Sequence, residues 1–403
     1  MSQRAALSRP EFIALIAILF AMIAFSIDSM LPALPVIADE LSPDDVNRAQ
    51  LILTSFVLGM GTGTLFAGPL SDAFGRKPVI LCGVILYVIG AGLAYVAQGL
   101  ELVLLARFVA GLGGAAPRIV GLAIVRDLYK GREMARIMSF VMMVFTLFPA
   151  VAPMLGAIIM GFFGWRAIFL SFILFAVVGA IWFATRQPES LPQDQRRPIR
   201  LTLMRAALIE MFSHPRVRLS MLAQTLGFAV LFMSIILIQP IFVDVFDKES
   251  SFPLWFAGMA LFASTGSFVN ATLVTRLGMR KLASLALGTQ TTLSVLITII
   301  WFADPAQTIM FACFAIWMTT VMFHVGMIIG NLNAITMEPM GHIAGMAASI
   351  SGAMATVVAA ALAIPVGLSF DNTPLPLTIG VSVASFVAYW LLQRIKATDE
   401  LVS

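Results

Sequence analysis

Twelve long apolar runs, each closed by charged residues or by a proline or glycine break, dominate this chain. They fall roughly at 12–35, 47–72, 79–98, 101–126, 134–161, 165–185, 214–243, 252–276, 280–302, 306–334, 340–369 and 372–396. A helix needs about 20 apolar residues to cross the hydrocarbon core of a bilayer. Of the 403 residues 60% are hydrophobic and 11% charged, which is more apolar surface than a soluble domain can hide. The pattern predicts an all-α membrane protein with twelve transmembrane helices. Several runs exceed one straight crossing, so those helices must tilt, kink or project. The first run is too long for the apolar stretch of a signal peptide and runs into Asp28 and two prolines, so it reads as a retained span.

Basic residues set the orientation. Arg4, Arg9, Arg76, Lys77, Arg126, Lys130, Arg132 and Arg136 flank the termini or even-numbered loops of the first half. Arg186, Arg196, Arg197, Arg200, Arg205, Arg216, Arg218, Arg276, Arg280, Lys281, Arg394 and Lys396 continue that series. The odd loops carry Asp39, Glu40, Asp44, Asp45, Asp244, Asp247, Glu249, Asp304 and Asp371 with few cations. The positive-inside rule then makes both termini and the even loops cytoplasmic. The net charge of +4 comes from this asymmetry. The cations are spread over many loops, so they are no nucleic-acid footprint.

The longest hydrophilic stretch, 186–213, divides the chain into an N-terminal six-helix bundle (1–185) and a C-terminal one (214–403). It reads as a cytoplasmic linker with a short amphipathic helix around 201–212. The halves echo each other. Leu70-x-x-x-x-Gly75-Arg76-Lys77 matches Leu273-x-x-x-x-Gly278-Met279-Arg280, with Thr275 in the place of Asp72. Parallel halves of this kind put a substrate path at their interface near the bilayer midplane.

Ionised groups in hydrocarbon are costly, so those inside spans are candidates for function. Asp28 and Arg107 each lie about seven residues from the outer end of their spans, roughly 10 Å deep. They can therefore pair at one depth, either as a site that gains and loses a proton or as a fixed structural ion pair. Arg118 follows Arg107 by eleven residues, returning to nearly the same helix face just after Pro117. It can line the cavity or seal its inner end, in a substrate role or a structural one. Asp72 and Arg76 sit in the tight second loop and Asp127 at the inner end of the fourth span. Charge pairs there can lock helices in one conformation and release them in another. Cys82 and Cys313 fall within spans and read as small buried side chains.

The second-loop line Gly68-x-Leu70-Ser71-Asp72-x-x-Gly75-Arg76-Lys77 resembles the signature loop of the major facilitator superfamily. Arg107-x-x-Ala110-Gly111-x-Gly113-Gly114-Ala115-Ala116 resembles that family's buried-arginine motif, and Pro149-x-x-Ala152-Pro153-x-x-Gly156-Ala157 its antiporter motif, with alanine at 152 and 157 where glycine is commoner. Three further segments resemble the Bcr/CflA type of drug:proton antiporter. They are Asp28-x-x-Leu31-Pro32-Ala33-Leu34-Pro35, Gly113–Arg118 with Arg126-Asp127, and Glu338–Ala347. The resemblance implies two pseudo-symmetric six-helix bundles in a bacterial inner membrane. It also implies proton coupling at Asp28 and Arg107, and gating by Asp72, Arg76 and Asp127. Met30 stands near where that subgroup commonly has tyrosine, so no tyrosine contact carries over.

Substrate contacts are expected from Asp28, Arg118, Met142, Phe145, Phe232 and Gln239. Met142, Phe145 and Phe232 are the candidates among the 31 Phe and 24 Met, and Gln239 is the more pointed choice because a buried amide needs a partner. His324, Asn331 and Asn333 are similar, the two asparagines as helix–helix hydrogen-bonding groups. No phosphate-binding G-x-x-x-x-G-K-S/T loop is present, so ATP is not the direct driver. Three scattered histidines and two distant cysteines offer no metal site, and no nucleophile–His–carboxylate grouping is legible. The expectation is a non-enzyme with no cofactor beyond protons as coupling ion. Its partners are a small drug-like molecule and the lipid bilayer, without nucleic acid, and the chain is expected to be a monomer. The rival readings are a carrier of one metabolite (a sugar, nucleoside or amino acid) and a non-transporting membrane receptor.

Overall fold

The structure is a computed structural model that describes residues 7–199 and 201–402, with side chains described except at 132, 135, 146, 201 and 396–402. Arg4 and Arg200 lie outside the described residues, as do the side chains of Arg132 and Lys396. Among the described residues there is helix and loop but no strand.

The chain forms two compact units, Met1–Leu201 and Thr202–Ser403. The first holds α1 (Arg9–Asp28), α2 (Leu34–Leu41), α3 (Leu51–Phe74), α4 (Arg76–Val96), α5 (Leu100–Leu128), α6 (Gly131–Phe163) and α7 (Ala167–Arg186). The second holds α8 (Leu201–Ser213), α9 (Pro215–Pro240), α10 (Phe252–Leu277), α11 (Met279–Phe302), α12 (Gln307–Met337), α13 (Ala344–Leu368) and α14 (Leu375–Val402). Apart from α2 and α8, these are the twelve expected spans. The stretch read as one linker is divided. Residues up to 199 fold back onto the first unit, whereas α8 packs within the second.

Prolines and glycines set the joints. Pro32 and Pro35 remove two backbone donors, so α1 stops at Asp28 and gives way to the 3₁₀ turn Leu31–Ala33 before α2. A single glycine joins α3 to α4 and another joins α10 to α11, Gly75 at φ +102° and Gly278 at φ +78°. Side chains rarely adopt that backbone, so glycine is what lets two long helices reverse across one residue. The turn Glu338–Ile343, with Met340 out of helical geometry, separates α12 from α13. An ion pair from Arg216 to Glu338 at 2.6 Å and a hydrogen bond between His342 and Glu210 of α8 at 2.7 Å tie this turn to the start of the second unit.

Small residues let the first unit's helices meet backbone to backbone. A methyl added at Gly59 of α3 would lie 2.0 Å from the carbonyl oxygen of Phe108 in α5, and one at Gly63 2.5 Å from that of Leu112. Without a hydrophobic drive between helices in lipid, such close packing and interhelical hydrogen bonds hold the bundle. The second unit also uses the latter. Asn331 of α12 donates to Asn270 of α10 at 2.6 Å, Ser351 of α13 to Gln224 of α9 at 2.9 Å, and Thr336 to Ser220 at 2.9 Å. Asn331 thus plays the helix–helix role expected of it, whereas Asn333 is exposed. Cys82, expected to be buried, is exposed, because α4 turns that face away from the unit.

Candidate functional site

Among the described residues Arg107 is the largest fully buried side chain, 1% exposed, two turns into α5. Its guanidinium is satisfied by neutral groups. It donates to the Ser26 carbonyl at 2.8 Å, to Ser26 Oγ at 3.0 Å and to the Ile52 carbonyl at 3.4 Å. Tyr87 of α4 donates its hydroxyl to the same Ser26 Oγ at 3.0 Å. The Phe56 ring lies 4.3 Å beneath the guanidinium carbon, a cation–π contact strengthened by the dry surroundings.

Asp28 is also buried, 4% exposed, and makes no hydrogen bond or ion pair among the described residues. The expected Asp28–Arg107 pair is therefore not formed. The depth estimate was sound, since Arg107 reaches residue 26 of the same helix. The facing was not. Two residues turn a helix by about 200°, so the face that offers Ser26 to α4 and α5 turns Asp28 away from them.

The antiporter-like stretch packs beside Asp28 instead. Ala152, Pro153 and Gly156 of α6 are buried, and Pro149 is half-buried. A methyl at Gly156 would sit 2.0 Å from the carbonyl oxygen of Ser29, the residue next to Asp28. Gly156 thus allows α6 to lie directly on the broken end of α1. Pro149 and Pro153 each free one carbonyl in α6, the routine cause of a bend. An unpaired carboxylate therefore stands at a helix break, against a proline-containing neighbour.

The three residues expected to gate, Asp72, Arg76 and Asp127, do come together. Arg76 is the hub, its side chain 9% exposed. It donates to Asp127 Oδ2 at 2.9 Å, to Asp72 Oδ1 at 2.5 Å and to Ser71 Oγ at 2.7 Å. Two carboxylates on one guanidinium join α3, α4 and α5 at one end of the unit. Residues missed from the sequence complete it. Glu189, from the stretch read as linker, accepts from the Arg76 N–H at 2.9 Å and the Lys77 N–H at 3.0 Å. It thereby covers the open donors at the start of α4 with a negative charge, where the helix dipole favours one. Ser190 donates to Asp127 at 3.0 Å, and the Arg197 N–H donates to the Asp72 carbonyl at 2.9 Å. One of the few carboxylates in an arginine-rich segment was the signal for Glu189. For Tyr87 it was one of only four tyrosines, set in mid-span where its hydroxyl requires a partner.

The other end of this unit has its own clamp. Glu40 of α2 accepts from Trp165 Nε1 and from Arg166, each at 2.7 Å. That ties the chain beyond the α1 break to the α6–α7 turn.

Of the expected substrate contacts, Arg118 is half-buried and has no hydrogen bond or ion pair among the described residues. Met142 is 38% exposed, and the Phe145 ring meets Phe20 of α1 edge-on at 6.4 Å. In the second unit Phe232 is buried and packs on Phe228 at 5.9 Å. Gln239 is 2% exposed with no hydrogen bond among the described residues. His324 lies 2.8 Å from Gln290, which donates to Ser294, so it belongs to a helix–helix network. No group of three or more metal-ligating side chains occurs among the described residues.

Comparison with known proteins places this arrangement. The family model described as Major Facilitator Superfamily matches residues 14–364. A bicyclomycin resistance protein homolog of Haemophilus influenzae is 32% identical over 94% of this chain and 96% of its own. A chloramphenicol resistance protein of Pseudomonas aeruginosa is 36% identical over 40% of this chain and 38% of its own. A partially occluded, inward-open structure of the Escherichia coli xylose transporter superposes with a TM-score of 0.74. It covers 96% of this chain and 97% of its own at 13% identity, a likeness of fold alone.

Proposed function

Given that this chain belongs to the major facilitator superfamily, we propose that it exports amphipathic, drug-like molecules across a bacterial inner membrane in exchange for protons, with both termini cytoplasmic. The observation that carries this reading is Asp28, a buried carboxylate without a cation partner, beside the antiporter-like stretch of α6. Holding that charge in a dry site costs several kcal/mol, and either a proton or a cationic or dipolar ligand removes the cost. Proton and ligand then compete for one group, and competition is what exchange requires. Arg107 fixes the helix two residues away through Ser26 and acts as a positioning residue for Asp28. Asp72, Arg76 and Asp127 hold one conformation of the first unit closed until transport breaks them. Arg118, Phe145 and Met142 of the first unit and Phe232 and Gln239 of the second contact the substrate. The resistance named in the relatives supports drug export over a single metabolite. The chain works as a monomeric carrier in the bilayer, with no catalysed reaction and no nucleic-acid partner.

The test uses inside-out membrane vesicles energised to be acidic inside. Chloramphenicol-like and lipophilic cationic compounds are added to wild type and to Asp28→Asn. A rise in internal pH on adding compound, lost in the variant at equal membrane insertion, is the expected result. Undiminished proton release in Asp28→Asn overturns the assignment. Silence toward every compound by well-inserted wild type favours a dedicated metabolite carrier.

A further inference from the structure

A groove of about 530 Å³ runs down the outside of the second unit where α11 lies against α14. Its mouth is at the start of α11. Lys281, Ser284, Tyr389 and Gln393 line that part, and none of their polar groups has a hydrogen bond or ion pair among the described residues. Further down, the polar groups are already satisfied. Thr289 donates to the Leu285 carbonyl at 2.7 Å and Thr292 to that of Gly288 at 3.1 Å, so the deeper wall presents methyls and the Phe386 ring. Gly288 opens the middle, where the Tyr389 ring is the nearest neighbour, 3.5 Å from an added methyl.

We propose that this groove holds one anionic glycerophospholipid, its phosphate on Lys281 and one acyl chain along the α11–α14 seam. Length supports the assignment. Lys281 to Thr292 is eleven residues, about 16 Å of helix, which is half of a hydrocarbon core of about 30 Å. The slot is therefore one leaflet deep, with its polar end at headgroup level. Charge supports it as well. In the first unit the corresponding loop neutralises its buried arginine with Asp72 and Asp127. In the second, residues 271–281 contain Arg276, Arg280 and Lys281 and no carboxylate. Lys281 has no ion pair among the described residues, so a lipid phosphate can supply the counter-charge that residues 271–281 lack.

The test is lipid retention by the full-length protein, released from nanodiscs of equal phosphatidylglycerol and phosphatidylethanolamine and weighed by native mass spectrometry. Wild type should retain phosphatidylglycerol preferentially. Lys281→Gln should lower that preference about five-fold, the worth of one lysine at an anionic surface, and Lys281→Arg should keep it. Gly288→Leu, or Phe386→Trp if the first folds poorly, should expel both lipids by filling the slot. An unchanged preference in Lys281→Gln, or retention undiminished in both groove-filling variants, overturns the proposal. So does displacement of the lipid by free phosphate alone, which would make the site an anion site with no acyl-chain slot. Loss of lipid with intact drug-induced proton release separates this site from Asp28.

Discussion

The two helix–glycine–helix joints, Gly75 and Gly278, share a backbone and differ in nearly everything around it. Both glycines take a positive φ with extended ψ, and each joins two long helices without another residue. Around Gly75 the space is full. An added methyl would lie 2.7 Å from Glu189 Oε2 and 2.9 Å from the Arg196 guanidinium. Around Gly278 a methyl would meet nothing within 4 Å. Arg76, which holds two carboxylates, has Met279 as its counterpart, and Met279 packs against the second unit's apolar core instead. The repeat thus preserves the turn, which is a local steric demand, and frees the charges, which are set by what docks on the turn. One joint is crossed by a docked segment and the other is left uncovered.

Substitutions at the two joints can break that contrast. The largest effect is expected from Arg76→Ala, which leaves Asp72, Asp127 and Ser71 without their shared donor. It should destabilise the first unit by about 3 kcal/mol, against about 1 kcal/mol for Met279→Ala. The unfolding midpoint of the purified protein in detergent reads both, and equal shifts would erase the distinction. Next comes Gly75→Ala. The glycine-only backbone alone costs about 1–3 kcal/mol, and here the methyl must also displace Glu189. Gly278→Ala carries the backbone cost without the clash. A smaller shift for Gly75→Ala than for Gly278→Ala, in the same melting assay, would show that the docked segment yields freely.

Glu189→Gln is expected to cost about 1 kcal/mol, since an amide oxygen still accepts one of the two N–H bonds but the charge at the helix start is gone. Faster proteolysis within 186–199 would be its local signature, and unchanged cleavage would count against the docking. The smallest effect is expected from building the first joint into the second. Thr275→Asp with Met279→Arg recreates the i,i+4 pair but neither the second carboxylate nor the docked glutamate. Such a partly exposed pair contributes less than about 0.5 kcal/mol, set against the apolar packing that Met279 gives up, so no net stabilisation is expected. A stabilisation well above that would mean that two charges, and not the docked segment, hold the first joint.

Much of this was legible in the residues. Hydropathy and proline–glycine breaks placed most of the spans to within a few residues, because a bilayer imposes a length on any helix that crosses it, but the first was read on to 35 where α1 stops at Asp28. The second-loop line marked Asp72 and Arg76, and the inner end of the fourth span marked Asp127, since charges at fixed spacing around a glycine leave a trace in sequence. The Asp28–Arg107 pair failed for a reason that depth cannot reveal. Level residues meet only if their helices face each other, and the two-residue offset from Ser26 to Asp28 decided which of them Arg107 would touch.

The sequence by itself determined the spans, the joints and the sorting of basic and acidic ends, all of which follow from local chain geometry and the cost of charge in hydrocarbon. Only the tertiary structure decided who pairs with whom. It brought Glu189 back across 113 residues to the start of α4, and satisfied Arg107 with Ser26 and Ile52 in place of a carboxylate. It also left Asp28 buried without a partner. These are questions of which helix faces meet, and facing is set by the packing of small residues across whole helices, which no local stretch encodes.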